Sequence, residues 1–409
     1  MSQDGVDPRG GRLELPAILA ISLLVQTTIS LLAACIPVIA PKIAESRGWN
    51  IDLIAFYSPI LYIVAFLTSF IAPRFVQQLG GMGLSLVCIV FGVVGLLFIL
   101  PANMILNIAA PVAIGLATGA MNPASSQVLG PRTTSATAGT IMSIKQTGVP
   151  MGAMLAGILI PALAETFGWH AAILYLTGAS TLILIALLPS IRWLNGGPNA
   201  GPIRSYRPLE PIKRLLAIPG MWAILAAGAV FSSMLVCLRT FYIVYLVKDV
   251  HLGLATAGLA LGASQAAGMI GQIAWAAVSD RLLSAHLTMG IIGIVMTVSA
   301  LLSASFVSLW SVSAIILVSI AFGFSAAGYV PVVLGEISRR TNAPEIGAMT
   351  AGANLFLLGG VIFGPVLFGI IASNVSYSLA FAAMAAISLF VSIVAIAVGR
   401  RTTIGAAAQ

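Results

Sequence analysis

The sequence predicts an all-α membrane protein with twelve transmembrane helices. Three observations carry that prediction. Of 409 residues, 59% are hydrophobic and 7% charged, which is too little polar surface to cover a water-soluble globule. The apolar residues come in runs of about 20, the length that crosses a ~30 Å hydrocarbon core. The runs are continuous and not alternating, so helices, not barrel strands, satisfy the backbone in lipid.

In order, the predicted spans are 15–40, 51–73, 82–101, 104–127, 138–162, 171–193, 218–246, 254–279, 287–306, 309–334, 346–371 and 376–398. An even count puts both termini on one side. Of the 19 basic residues, 14 lie on that side, three (Lys42, Arg47, Lys248) lie on the other, and Lys145 and Arg239 lie inside spans. The positive-inside rule then makes both termini cytoplasmic. The net charge of +8 therefore reports topology. It does not point to nucleic acid, because the basic residues are scattered over seven cytoplasmic segments. The first apolar run lacks a small-residue cleavage site and is read as a retained helix, not a signal peptide. Cys35, Cys88 and Cys237 all fall in apolar helices, so buried free thiols are expected and no disulfide or metal spacing is present. No nucleotide loop, metal cluster or nucleophile–base arrangement is found, so neither an enzyme nor a cofactor is expected.

The longest polar stretch, Asn195 to Lys213, is rich in Gly, Pro and Arg and reads as a cytoplasmic linker. The expected domains are a six-helix bundle over 1–194, a linker over 195–215 and a second six-helix bundle over 216–409. A shift of 208 residues aligns Gly115 with Gly323, Pro123 with Pro331, Arg132 with Arg340, Gly139 with Gly347 and Gly152 with Gly360. These are backbone-special or charged positions. Parallel repeats about an axis along the membrane normal are the pattern of one large transporter class.

Two motifs make the resemblance specific. Before predicted span nine stands Trp275-Ala276-Ala277-Val278-Ser279-Asp280-Arg281, and after span two stands Pro73-Arg74-Phe75-Val76-Gln77-Gln78. Span five carries Ser143-Ile144-Lys145-Gln146-Thr147-Gly148-Val149-Pro150-Met151-Gly152. Over nearly its whole length the chain resembles a major facilitator superfamily transporter. That family carries a Gly-x-x-x-Asp-Arg-type motif in both loops. Here Ala276 stands at the usual Gly, and Gln77 and Gln78 replace the acid and base of the first copy. The resemblance implies a cytoplasmic conformational latch at Asp280 and Arg281, with Arg74 in the degenerate copy. Gly148, Pro150 and Gly152 resemble the span-five motif of the antiporter members. Gly148 and Gly152 share a helix face and allow close approach, and Pro150 can kink the helix. The Ser-Ile-Lys-Gln-Thr-Gly run also resembles the branch of cyanate-type and small organic-anion carriers. The resemblance further implies two pseudo-symmetric six-helix bundles, alternating access and a monomer. It implies a cavity lined by spans one, four, seven and ten, which places Gln26, Asn122 and Arg239 in candidate positions with Lys145 at the edge.

Ionisable residues at membrane depth are costly and point to function. All eleven acids are expected outside the spans or at their ends, so Lys145 and Arg239 have no obvious carboxylate at their depth. A buried cation without a counter-ion is expensive, and an anionic substrate supplies one. Snorkelling to the interface is the other reading of each. Arg239 is the better carboxylate clamp because its planar fork binds two oxygens. Uncharged candidates complete the lining: Gln26, Asn122, Gln146, Gln265, Asn354, Tyr242 and Tyr329. Each amide is equally readable as an interhelical hydrogen bond, and a lipid-facing or core position is the more common fate of the two tyrosines.

The expected function is secondary transport of a small anion, most simply an organic carboxylate, by alternating access. The alternatives are a multidrug or hydrophobic-compound exporter, and a non-transporting sensor or scaffold. The three histidines are expected near loops, solvated or capping. Coupling is left to a proton carried by the substrate, to a counter-anion, or to Asp52. The expected location is a bacterial inner membrane, crossed many times.

Overall fold

The computed structural model describes residues 10–50, 54, 56–129, 132, 138–194, 209–341 and 346–407. Asp52 and most of the predicted linker lie outside the described residues. Fifteen helices make up the described chain. They are α1 (Gly10–Arg47), α2 (Tyr57–Leu97), α3 (Met104–Leu129), α4 (Ala138–Gln146), α5 (Gly148–Phe167), α6 (Trp169–Leu187), α7 (Ser190–Leu194), α8 (Leu209–Ala217), α9 (Met221–Lys248), α10 (Leu254–Arg281), α11 (Ala285–Ala304), α12 (Val312–Ala326), α13 (Tyr329–Arg340), α14 (Ile346–Asn374) and α15 (Tyr377–Ala407).

Eleven helical stretches among the described residues are long and apolar enough to cross a membrane. One of them, α2, has 41 residues, or about 60 Å at 1.5 Å per residue, twice what one crossing needs. It holds predicted spans two and three. Gly80 (φ 73°, ψ 165°) interrupts the helical backbone at their junction, in a region that glycine enters without Cβ strain.

Two predicted spans are each broken in two. Span five divides at Thr147 into α4 and α5, and span ten divides at Ala327 and Gly328 into α12 and α13. The cause is the same. A proline ring clashes with the carbonyl four residues back and has no N–H to give it. Pro150 does this to Gln146, and Pro331 does it to Ala327. At the first break Thr147 turns back on Ile144, whose carbonyl accepts from both Thr147 N (3.1 Å) and Thr147 Oγ1 (2.6 Å). Helix starts elsewhere use hydroxyl caps: Ser284 accepts from Leu287 N and Ser311 from Ala314 N.

The chain forms two compact units. The first comprises residues 1–33, 63–153 and 170–203, and the second 34–62, 154–169 and 204–409. The core of the first unit joins Ile18, Val25 and Ile29 of α1 to Leu86 and Ile89 of α2 and to Ala117 and Met121 of α3. The second unit has an aromatic core. Phe241 stacks on Phe368 at 4.6 Å, and Phe381 meets Phe368 edge-on at 4.8 Å.

The repeat has a structural counterpart inside each unit. Gly152 lets α5 close on the α1 backbone: a Cβ there would stand 2.4 Å from the Thr27 carbonyl oxygen. Its shifted equivalent Gly360 lets α14 close on α9, where a Cβ would stand 1.8 Å from the Ala229 carbonyl oxygen. Spans five and one therefore meet in the first unit as spans eleven and seven meet in the second. In the second unit Gly157 of α5 likewise faces α10, with Gly258 O 2.8 Å from its Cβ position. Cys35, Cys88 and Cys237 are all buried free thiols.

Candidate functional site

Arg239 sits in α9, within the second unit, and is part-buried. Its Nε donates to Gln265 Oε1 of α10 at 2.9 Å. The other end of that amide donates to Ser264 Oγ at 3.3 Å, so Gln265 is oriented from both sides. Tyr62 of α2 also hydrogen-bonds the Arg239 side chain, and Tyr329, the first residue of α13, lies close enough to act on its charge. Tyr329 is itself held by Ser232. On the neighbouring face Thr240 bonds Ser58 through their hydroxyls at 2.5 Å. No ion pair among the described residues involves Arg239. Its fork therefore has donors left over, in a setting of neutral amide and phenol groups.

Lys145, the next-to-last residue of α4, belongs to the first unit and is 2% exposed. Its Nζ donates to Asn122 Oδ1 at 2.7 Å and to Gln146 Oε1 at 3.1 Å. It too has no ion pair among the described residues. Gln26 of α1 lies against the break: a Cβ on Gly148 would stand 2.9 Å from its Cγ. The Gln26 Oε1 is buried with no hydrogen-bond partner among the described residues.

Seven of the nine sequence-predicted binding residues thus gather around the two cations. Arg239 bonds Gln265 and acts electrostatically on Tyr329, while Lys145 bonds Asn122 and Gln146, with Gln26 at the adjoining break. Tyr242 does not join them. It is fully buried, its hydroxyl bonds Ser319 Oγ at 2.7 Å, and its ring packs edge-on to Phe322 and Phe381. Asn354 stands exposed on α14, apart from both groups of contacts. Tyr62 was missed, although a phenol in the apolar run of span two was the available signal.

Of the residues assigned to the latch, only Asp280 makes an ion pair among the described residues. Asp280 pairs with Arg339 Nη1 at 2.7 Å, while Arg281 and Arg74 are exposed. Span ten runs on to Arg340, so Glu336 lies within α13 and is buried, not beyond a helix end as expected. Its carboxylate accepts from Arg339 Nη2 at 3.0 Å and pairs with Arg340 through Nε. The Glu336-x-x-Arg339-Arg340 spacing, with the base one turn after the acid, was a legible signal for this network. His286, expected to be solvated or capping, is buried at the start of α11 and bonds the Gly220 carbonyl at 3.0 Å. Exposure separates the two acids: the Glu336 side chain is 7% exposed and that of Asp280 is 59%. Glu336→Gln is therefore expected to lower stability by about 1.5–3 kcal/mol, and Asp280→Asn by less than about 1 kcal/mol. Denaturant unfolding in detergent measures the order, and equal losses would contradict it.

Comparison with known proteins places this architecture. Two uncharacterized MFS-type transporters, from two Mycobacterium tuberculosis strains, are each 28% identical over 172 residues, 41% of this chain. The match spans 36% of the length of those relatives. Solved structures share the fold at low identity. A bacterial homolog of the human lysosomal transporter Spinster, inward-facing and occupied, superposes with a TM-score of 0.72 at 14% identity, covering 94% of this chain and 97% of its own. A POT family transporter in complex with 5-aminolevulinic acid gives 0.74 at 12%, covering 97% and 98%. The peptide transporter POT gives 0.75 at 13%, covering 98% and 96%. The Major Facilitator Superfamily model matches residues 22–333 and again 237–407, which is most of the chain, and the chain belongs to that superfamily.

Proposed function

We propose that this protein is a secondary transporter that carries a small anion, most simply an organic carboxylate, by alternating access. The observation that carries the reading is Arg239. It is a guanidinium at membrane depth whose contacts are neutral, Gln265 and Tyr62, with no carboxylate partner among the described residues. A bidentate anion supplies both the missing charge and acceptors for the free donors. The amide and phenol groups hydrogen-bond a substrate without competing for its charge.

The six-helix halves over 1–194 and 216–409 are the moving bodies in this reading, with the Gly157–Gly258 contact broken and remade in each cycle. The Asp280–Arg339–Glu336 network is the latch of the second half. Both termini are cytoplasmic, the membrane is a bacterial inner membrane, and the working unit is a monomer. The excess of basic residues on the side of the termini supports that orientation.

The test is thermal stabilisation of the detergent-purified protein by a panel of small carboxylates and inorganic anions. A ligand of the folded state present at about 100 times its Kd stabilises by about 2.7 kcal/mol. Stabilisation by one or more anions supports the reading. Stabilisation by apolar or cationic compounds alone replaces it with the exporter reading.

A further inference from the structure

We propose that Lys145 is the proton-binding group of the transport cycle, protonated on one side of the membrane and deprotonated on the other. This rests on the transporter reading but not on the cargo being an anion. Proton coupling needs a group at membrane depth that can change charge. Arg239 stays protonated in proteins, so it cannot serve. Glu336 is committed to Arg339 and Arg340. An amine can lose its proton, and buried lysines are used in that way.

The surroundings of Lys145 suit both charge states. Both hydrogen-bond partners of Lys145, and the α1 side chains packed at the adjoining break, are neutral. They are Asn122 from α3, Gln146 from α4 itself, and Gln26 and Thr27 from α1, which lie against Gly148 and Met151. No titratable or charged side chain among the described residues acts on Lys145. A carboxylate partner would lock the ammonium in its charged form and would itself be stranded when the proton left. An amide is not stranded. It carries acceptor oxygen on one side and donor NH2 on the other, so a half-turn of Asn122 or Gln146 offers N–H to the lone pair of a neutral amine. The step itself is one N–H bond broken and reformed. The ammonium becomes an amine, and the proton passes to water on the releasing side.

The experiment is charge movement in proteoliposomes of the full chain on a solid-supported membrane. A rapid step from alkaline to neutral pH is applied with no cargo present. Wild type is expected to give a transient current as the proton enters its site. Lys145→Arg keeps the cation and its donors but does not titrate, and is expected to reduce the current at least about tenfold. Asn122→Asp leaves the lysine in place but pairs it with a carboxylate, and is expected to do the same. Lys42→Arg, in an exposed pair with Glu45, is the control and keeps the current. No transient in wild type, or a full-sized transient in Lys145→Arg or Asn122→Asp, overturns the proposal. Because no cargo is used, failure of the anion reading leaves the result intact.

Discussion

Arg239→Ala is expected to abolish stabilisation by any anion that stabilises the wild-type protein. The magnitude follows from the type of contact. Hydrogen bonds to a charged group contribute about 1.5–3 kcal/mol each, so losing one costs about 10–150-fold in Kd and losing a bidentate pair more. Arg239→Lys separates charge from geometry. A lysine keeps the positive charge but places it as a point, without the fork that meets two oxygens. Weak residual binding is expected in Arg239→Lys and none in Arg239→Ala. The fold is expected to survive both changes. Arg239 has no ion-pair partner among the described residues, so its removal leaves only neutral groups, Gln265 Oε1 and the Tyr62 hydroxyl, without their partner, and it relieves the desolvation of a cation. The melting temperature without ligand should therefore hold or rise while ligand-induced stabilisation vanishes. Normal anion binding in both variants would end the clamp assignment.

The second large effect is a contrast between two adjacent glycines. Gly360→Ala is expected to destabilise strongly, and Gly359→Ala to be neutral or stabilising. A Cβ on Gly360 would stand 1.8 Å from the Ala229 carbonyl oxygen and 2.6 Å from that carbonyl carbon, so α14 and α9 must part. Overpacking of this kind costs about 1–3 kcal/mol, and more when the obstacle is backbone. A Cβ on Gly359 meets nothing within 4 Å, so only helix propensity acts there, worth roughly 0.5–1 kcal/mol in favour of alanine. Thermal unfolding of the two variants in one detergent compares them directly. The repeat extends the prediction: Gly152→Ala should resemble Gly360→Ala, because its Cβ would meet the Thr27 carbonyl oxygen at 2.4 Å. Equal behaviour of Gly359→Ala and Gly360→Ala would mean that α14 does not pack on α9 as described.

The site was legible in part, and the division is physical. Lys145 and Arg239 stood out because charge at membrane depth has to be explained whatever surrounds it. Their neutral partners did not stand out. Gln265 was one amide among several, and which one reaches Arg239 depends on how α9 and α10 are rotated about their axes. Tyr242, three residues from Arg239, shows the same limit: its hydroxyl turns to Ser319 in the aromatic core. The partner of Asp280 was hidden for a related reason. Asp280 was read with its chain neighbour Arg281, but the base that reaches it is Arg339, 59 residues on, at 2.7 Å.

By itself the sequence determined the class and the crossings of this protein. A bilayer admits only self-satisfied backbone, so the length and polarity of each run decide whether it spans. Pro150 and Pro331 are the local causes of two helix breaks, but Pro73, Pro111, Pro123, Pro161 and Pro365 stand inside helices that run on, so the sequence offered more candidate breaks than the structure uses. The repeat glycines were readable as a pattern. Tertiary structure alone decided what each one is for: which of Gly359 and Gly360 meets a backbone, which amides hold Lys145, and that Glu336 is buried between two arginines. Those outcomes depend on the rotation and approach of neighbouring helices. Many residues set these jointly through packing, and no local stretch encodes them.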